Sequence, residues 1–358
     1  MANLTPRELE LLARRLEPAI RRAFEQAIAG VRSQVQLDLL AELLRAGQVD
    51  MVLEALGFDA ERFSPMAEQV RQAFMAGAEV GMKELPVLSL RQQVRGRYNP
   101  ANETPRLRFG FDMRNRGVEQ WLRDNSSRLI TGVLDDQRAL VRQLLTRGMA
   151  SGTNPRQTAL ELVGRVGETG RRTGGVVGLT AQQAQFVANV RQQLASGDPA
   201  QMAEYFGRKR RDKRLDGIVT RAIKAGQPVA PADVEKIAAR YADRLLALRG
   251  EMIARTESIT AMNAGREDAF RQQIEAGRLA PENVTGTWSA TGDDRTRHSH
   301  QAMNNQVRPF GVPFQTPSGA LLRFPGDTSL GAGPEEIIGC RCTKHYRVDM
   351  VAEVKRGQ

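Results

Sequence analysis

The sequence predicts a mainly α protein with a small C-terminal α+β module: an elongated helical body, then short antiparallel strands near the C-terminus. Three observations carry this. Before Gly277, apolar residues recur at three-, four- and seven-residue steps, the period of an amphipathic helix. After Gly277 the pattern breaks into short β-branched and aromatic runs separated by Gly, Pro and Asp. Aromatic residues make up 5% of the 358, low for a compact enzyme and suited to an elongated, helix-rich assembly protein.

Thr5-Pro6-Arg7-Glu8 opens the first helix, with Thr as N-cap, Pro in the first turn and Glu three residues on. Leu9, Leu12, Leu16, Ile20 and Phe24 continue it at helical spacing. Further helices are expected over Val31 to Arg45, Val49 to Leu56 with Gly57 as the stop, and Ser64 to Leu85 before Pro86. Small residues crowd the later half of the last one (Ala73, Ala76, Gly77, Ala78, Gly81), which implies close approach to another backbone. Residues 1–90 therefore read as a helical arm or bundle. Residues 91–110 read as a linker, broken at Tyr98-Asn99-Pro100 and Thr104-Pro105.

Residues 111–249 read as a helical body. Trp121, Leu122, Leu129, Val133, Leu140 and Leu144 mark a helix to about Met149, and Gly152-Thr153-Asn154-Pro155 ends it and caps the next, Arg156 to Val166. The Gly-rich stretch Glu168 to Gly175 follows no strand and carries no phosphate-loop pattern, so a flexible turn is expected. Thr180 caps a helix over Gln182 to Ala195. Val234 to Leu248 forms another that can run into the helix after it. Residues 250–358 form the C-terminal module: a strand at Thr285 to Ala290, a polar turn into a short helix at Asp293 to His300, short strands near Val307 to Phe310 and Ala320 to Asp327, and a last strand from Cys340 to Val348.

The formal charge is +11, which points to polyanionic partners, nucleic acid or an acidic protein surface. The densest positive run is Arg208, Lys209, Arg210, Arg211, Lys213 and Arg214. With no aromatic residue interleaved, it reads either as a solvated helix surface or as a sequence-neutral phosphate-contacting patch. No apolar run approaches the length of a membrane span and the N-terminus is charged, so neither a membrane anchor nor a secretory signal is expected. The two cysteines, Cys340 and Cys342, are too close in sequence for an ordinary mutual disulfide, which fits a cytosolic place of synthesis.

The chain is organised around the helix that opens at Ile253-Ala254-Arg255-Thr256-Glu257 and reaches about Ala276. Met252, Ile259, Met262, Phe270 and Ile274 form its apolar face. Arg255, Thr256 and Asn263 fall on the same arc, where polar groups are costly unless partnered. Their partners are expected in the polar segment Trp288 to His345.

Those residues carry a resemblance. Arg255-Thr256-Glu257 with Asn263, then Trp288, then Asp294-Arg295-Thr296-Arg297 with His300, then Phe324-Pro325-Gly326-Asp327, then Cys340-Arg341-Cys342 resemble the signature of the phage Mu F-like family of minor head (head morphogenesis) proteins. Each motif alone is weak; five in one order over a hundred residues, Leu245 to Val348, are specific. One departure is Gly339, where the family usually has Asn. The resemblance implies a low-copy virion protein inside the head, associated with the portal protein and set beside a major capsid or scaffolding protein and packaged double-stranded DNA. Some such proteins travel with the DNA on ejection.

Two sharper chemistries are open to the same residues. His300, Cys340, Cys342 and His345, with His298 nearby, are a candidate zinc set by ligand type, but Cys-x-Cys-x-x-His is not a standard finger spacing. The alternative, and the one the sequence favours, is a metal-free polar core with Arg255, Asp294 and His300 partnered and the cysteines buried. Glu257, Asp294 and His300 could serve a hydrolase or nuclease, but no nucleophile motif accompanies them, so a non-enzymatic structural cluster is expected. It comprises Arg255, Thr256, Glu257, Asn263, Trp288, Asp294, Arg295, Arg297, His300, Asp327, Cys340, Arg341 and Cys342.

Overall fold

The structure, a computed structural model, describes residues 4–86, 109–167 and 170–356. The expected breakers between residues 91 and 108, and Glu168-Thr169, lie outside the described residues. The helices of the first part are α1 (Pro6–Ser33), α2 (Leu37–Arg45), α3 (Val49–Ala55), α4 (Ser64–Glu84), α5 (Arg116–Ser151) and α6 (Pro155–Val163). A hairpin of β1 (Arg165–Val166) and β2 (Arg172–Thr173) leads to α7 (Ala181–Ala195), α8 (Pro199–Ala203), α9 (Asp216–Ala225) and the long α10 (Pro231–Glu275). The C-terminal module holds β3 (Val284–Ser289), α11 (His298–Ala302), β4 (Val307–Pro309), β5 (Phe314–Gln315), β6 (Leu321–Leu322), α12 (Pro334–Ile337), β7 (Thr343–Val348) and α13 (Met350–Arg356). The protein is thus mainly α with a small C-terminal α+β module.

Two compact units share this chain, one built from described residues of 1–20, 68–124 and 252–358, the other from 21–67 and 125–251. Neither is a continuous stretch. The sequence suggests divisions at residues 90, 110 and 249, but residue 249 lies inside α10, one helix of 45 residues with no internal Pro or cap to stop it.

In the second unit, α1 runs on to Ser33 where the sequence suggests a new helix at Val31. Val31 completes the buried stripe of Ile20, Phe24 and Ile28, so it belongs to the first helix. The expected helix Arg156 to Val166 stops at Val163, because Gly164 turns the chain at a φ of +84°. The end of the glycine-rich stretch and the chain that follows it are pinned. Arg32 donates to the carbonyls of Gly175 (2.7 Å) and Val177 (2.8 Å), and Arg249 to that of Gly178 (2.6 Å). Gln137 both donates to Leu179 O and accepts from Gly178 N, each at 2.9 Å. Three side chains thus supply to residues 175–179 what a strand partner would, whereas Gly170, Arg171 and Thr173 of the expected turn are exposed and Arg172–Thr173 pair in the β1–β2 hairpin.

In the first unit, α10 and α4 cross at backbone contact. A Cβ on Gly77 would lie 2.0 Å from Met262 O, one on Gly265 2.0 Å from Phe74 O, and one on Gly81 2.7 Å from the Ala269 Cβ. This is the close approach that the small residues of α4 imply. Residues 256–270 of α10 are buried on every side, so its polar residues must find partners within the unit. The main sheet of the C-terminal module is antiparallel, ordered β4-β3-β7, with Thr287 opposite both Val307 and His345 and Trp288 opposite Lys344. A β5–β6 hairpin pairs Phe314 with Leu322. Trp288, Met303, Phe314, Leu322, Ile337, Cys340 and Cys342 close the small core beside it.

Candidate functional site

Three polar residues of α10 hold the C-terminal segment. The Thr256 hydroxyl accepts from the backbone N–H of Gly339 at 2.9 Å while donating to Met252 O at 2.8 Å. The Asn263 amide donates to Pro325 O at 3.0 Å and Cys342 O at 3.4 Å. Between them Thr260 packs on Gly326, whose φ of +92° and contact leave no room for a side chain: a Cβ there would lie 2.3 Å from the Thr260 Oγ1. Positions 256, 260 and 263 lie on one helix face, so helical spacing alone aligns the clamp. It grips the Phe-Pro-Gly-Asp turn and the residues around Cys-Arg-Cys. Asp327 fixes that turn from within, accepting from the Arg323 N–H (2.9 Å) and the Ser329 N–H (3.0 Å).

Cys340 and Cys342 converge on His300 at the tip of this segment. The His300 Nδ1 is 3.5 Å from Cys340 Sγ and 3.4 Å from Cys342 Sγ, and all three side chains are buried. Trp288 packs edge-on against the ring at 5.2 Å. The far nitrogen, Nε2, lies 3.0 Å from Glu336 Oε2, close in distance though not aligned as a linear hydrogen bond. Glu336 is buried and accepts from Ser299 (2.8 Å) and Ser318 (3.2 Å). The hydrogen bond from Cys342 and the nearby His300 hold the Cys340 thiol well below the usual thiol range, whereas its neighbour Cys340 and burial push Cys342 up.

Several predicted partners differ. His300 faces Glu336, thirty-six residues along, and Asp294 is exposed. The ion-pair partner of Arg341 is Asp293 (2.6 Å), which that guanidinium holds well below the usual carboxylate range. Arg295 is exposed and 3.6 Å from Asp293, and Arg297 donates to Ile338 O. Arg255 is half-buried against Glu17 of α1 at 3.6 Å, so its charge is met from the N-terminal helix rather than from the C-terminal segment. Glu257 is buried. His298 is exposed. His345 is not one of the converging donors among the described residues: β7 puts it near Arg266, where burial and that positive charge lower its pKa to about 4.

A second polar cluster was missed. Arg266 forms a fully buried ion pair with Glu84 of α4 (2.8 Å) and lies over the Tyr346 ring. Next to it, Glu267 accepts from Lys344 (2.6 Å) and from the Tyr346 hydroxyl. Gly286 makes space for the Lys344 stem, since a Cβ there would lie 2.1 Å from its Cε. The signal was present: Arg266 is four residues after Met262 and four before Phe270, on the apolar arc.

The basic run is a loop and a 3₁₀ turn rather than a helix surface, because Asp212 caps the turn at Lys213–Leu215. Much of its charge is locally met. Arg211 pairs with Asp216 (3.0 Å), Arg214 with Asp212 (2.7 Å) and Arg210 with Glu251 (3.6 Å). Arg208 lies over the Tyr241 ring. Lys209, Arg210, Lys213 and Arg214 remain exposed.

Fold and site together define a helical protein ending in a compact, Cys/His-tipped α+β module clamped to a long helix. Residues 213–345, a little over a third of the chain, match the family described as Phage Mu protein F like protein, the one its motifs resemble. The match points to phage head morphogenesis. It takes in only the end of the basic run, Lys213 and Arg214, and all of α10 and the Cys/His cluster. No curated protein and no solved structure matches the chain. No helix among the described residues is long and apolar enough to cross a membrane.

Proposed function

We propose that the chain is a minor head protein of a tailed phage, seated on the portal protein inside the head and acting in procapsid assembly and in DNA packaging or ejection. The family match supports the phage setting. The observation that carries a structural role is the use to which the motif residues are put. Thr256, Asn263 and Gly326 lock α10 to the C-terminal segment. Of the residues suggested for hydrolysis, His300 meets Glu336 and Asp294 is exposed. Contact with packaged DNA rests on the net charge of +11 and on the exposed Lys209, Arg210, Lys213 and Arg214.

The test is location. Purified virions and procapsids should contain the chain in a few to about a dozen copies, and particles assembled without portal protein should lose it. Its absence from particles, or its retention without the portal, contradicts the reading.

A further inference from the structure

We propose that His300, Cys340 and Cys342 form a zinc site, completed by one water and oriented by Glu336. The arrangement begins with the Cys-x-Cys spacing. In chain leading straight into β7, alternate side chains share a face, so Cys340 and Cys342 point one way and Arg341 the other, toward Asp293. The His300 Nδ1 then stands 3.5 and 3.4 Å from the two sulphurs. A tetrahedral ion with zinc–sulphur and zinc–nitrogen bonds of ordinary length separates N and S ligands by about 3.6 Å, so both N–S separations already match edges of that tetrahedron.

Hydrogen bonding among neutral groups explains less. A neutral ring offers one lone pair at Nδ1, and one S–H can donate to it; the other thiol can bond its neighbouring sulphur, but that bond does not call for equal distances from the ring to both. A shared cation gives both a reason. It also settles the charge. Two thiolates cancel a divalent ion and the imidazole stays neutral, so the ion and its protein ligands together carry no net charge. Thiolate and imidazole are zinc donors by softness.

Two further features belong to such a site. Glu336 Oε2 lies 3.0 Å from the ring nitrogen opposite the sulphurs, and two serine hydroxyls fix that carboxylate. This is the support by which metal-binding imidazoles are oriented. A cavity of about 10 Å³ bordered by Thr291, Thr296, His300, Gly339 and both cysteines touches the cluster. It has room for about one water, the fourth ligand. His345 takes no part. The ion would tie α11 to the chain entering β7, forty residues later, inside a module whose core is small.

The full chain, purified without a histidine tag, should carry about one zinc per molecule by elemental analysis and release it on thiol modification. Exchange for cobalt should give thiolate-to-cobalt charge-transfer absorption. Glu336→Gln should weaken zinc about 10- to 100-fold in competition with a zinc indicator. Cys342→Ser should lose the cobalt band; if that variant does not fold, the wild-type cobalt spectrum and the Glu336→Gln titration still decide. A folded wild-type chain that holds no metal and takes up none from micromolar zinc overturns the proposal, as does cobalt bound without a thiolate band.

Discussion

The backbone N–H of Gly339 donates to the hydroxyl of Thr256 at 2.9 Å, and Gly339 makes that bond in the left-handed region, at a φ of +69°. This accounts for the one departure from the family signature. Asn is the residue after glycine that best tolerates this conformation, so Asn and Gly at this position serve the same turn. Replacing Gly339 with Ala should cost about 1–2 kcal/mol and replacing it with Asn clearly less. Thr256→Val removes the acceptor of a partly buried N–H and should cost about 1–3 kcal/mol. Denaturant unfolding of the three variants checks the order.

The helix crossing makes opposite predictions for two helical glycines. Gly265→Ala would drive a Cβ against Phe74 O and the Ala78 N–H, and should cost about 3 kcal/mol or more as α4 and α10 are forced apart. Gly132→Ala in α5, where nothing lies within 4 Å, should stabilise by about 0.5–1 kcal/mol. Thermal unfolding should therefore move down for one and up for the other.

Glu84 and Arg266 are both dry, and burial raises the Glu84 carboxyl above its ordinary range while Arg266 pulls it down. Glu84→Ala should cost about 3–5 kcal/mol, because it strands a buried guanidinium. The double change Glu84→Leu with Arg266→Met should recover most of that loss, since it leaves no charge to strand. Unfolding of the single and double variants gives the comparison; a double variant as unstable as the single contradicts it.

His345 gives the fold an acid limb. Its folded pKa lies near 4, below the ordinary 6.5, so between those values the unfolded chain binds the extra proton. Stability from this group is therefore full above about pH 6.5 and falls as the pH drops toward 4. His345→Gln should flatten that part of a stability–pH profile. An unchanged slope assigns the acid limb to other groups.

Much of this was legible in the sequence because it depends on local spacing. The Thr5/Glu8 and Thr180/Gln183 caps, the close packing of α4, the strand at Trp288 and the polar arc of Thr256 and Asn263 all follow from residues within a turn or two of each other. What escaped depends on partners brought in from afar. Glu336 reaches His300 across thirty-six residues, Glu17 reaches Arg255 from α1, and Arg266 meets Glu84 and Tyr346 from two other elements. The Arg341–Asp293 pair, forty-eight residues apart, escaped for the same reason. The hairpin of β1 and β2 was read as a turn because two residues per strand leave too little pattern to see.

α10 holds the C-terminal segment through its own side chains, and hydrogen exchange read by mass spectrometry tests that most directly. In a Thr256→Val, Asn263→Ala variant, peptides covering residues 323–342 should exchange much faster than in the wild type while residues 259–272 of α10 stay protected. Unchanged exchange over residues 323–342 would contradict the clamp.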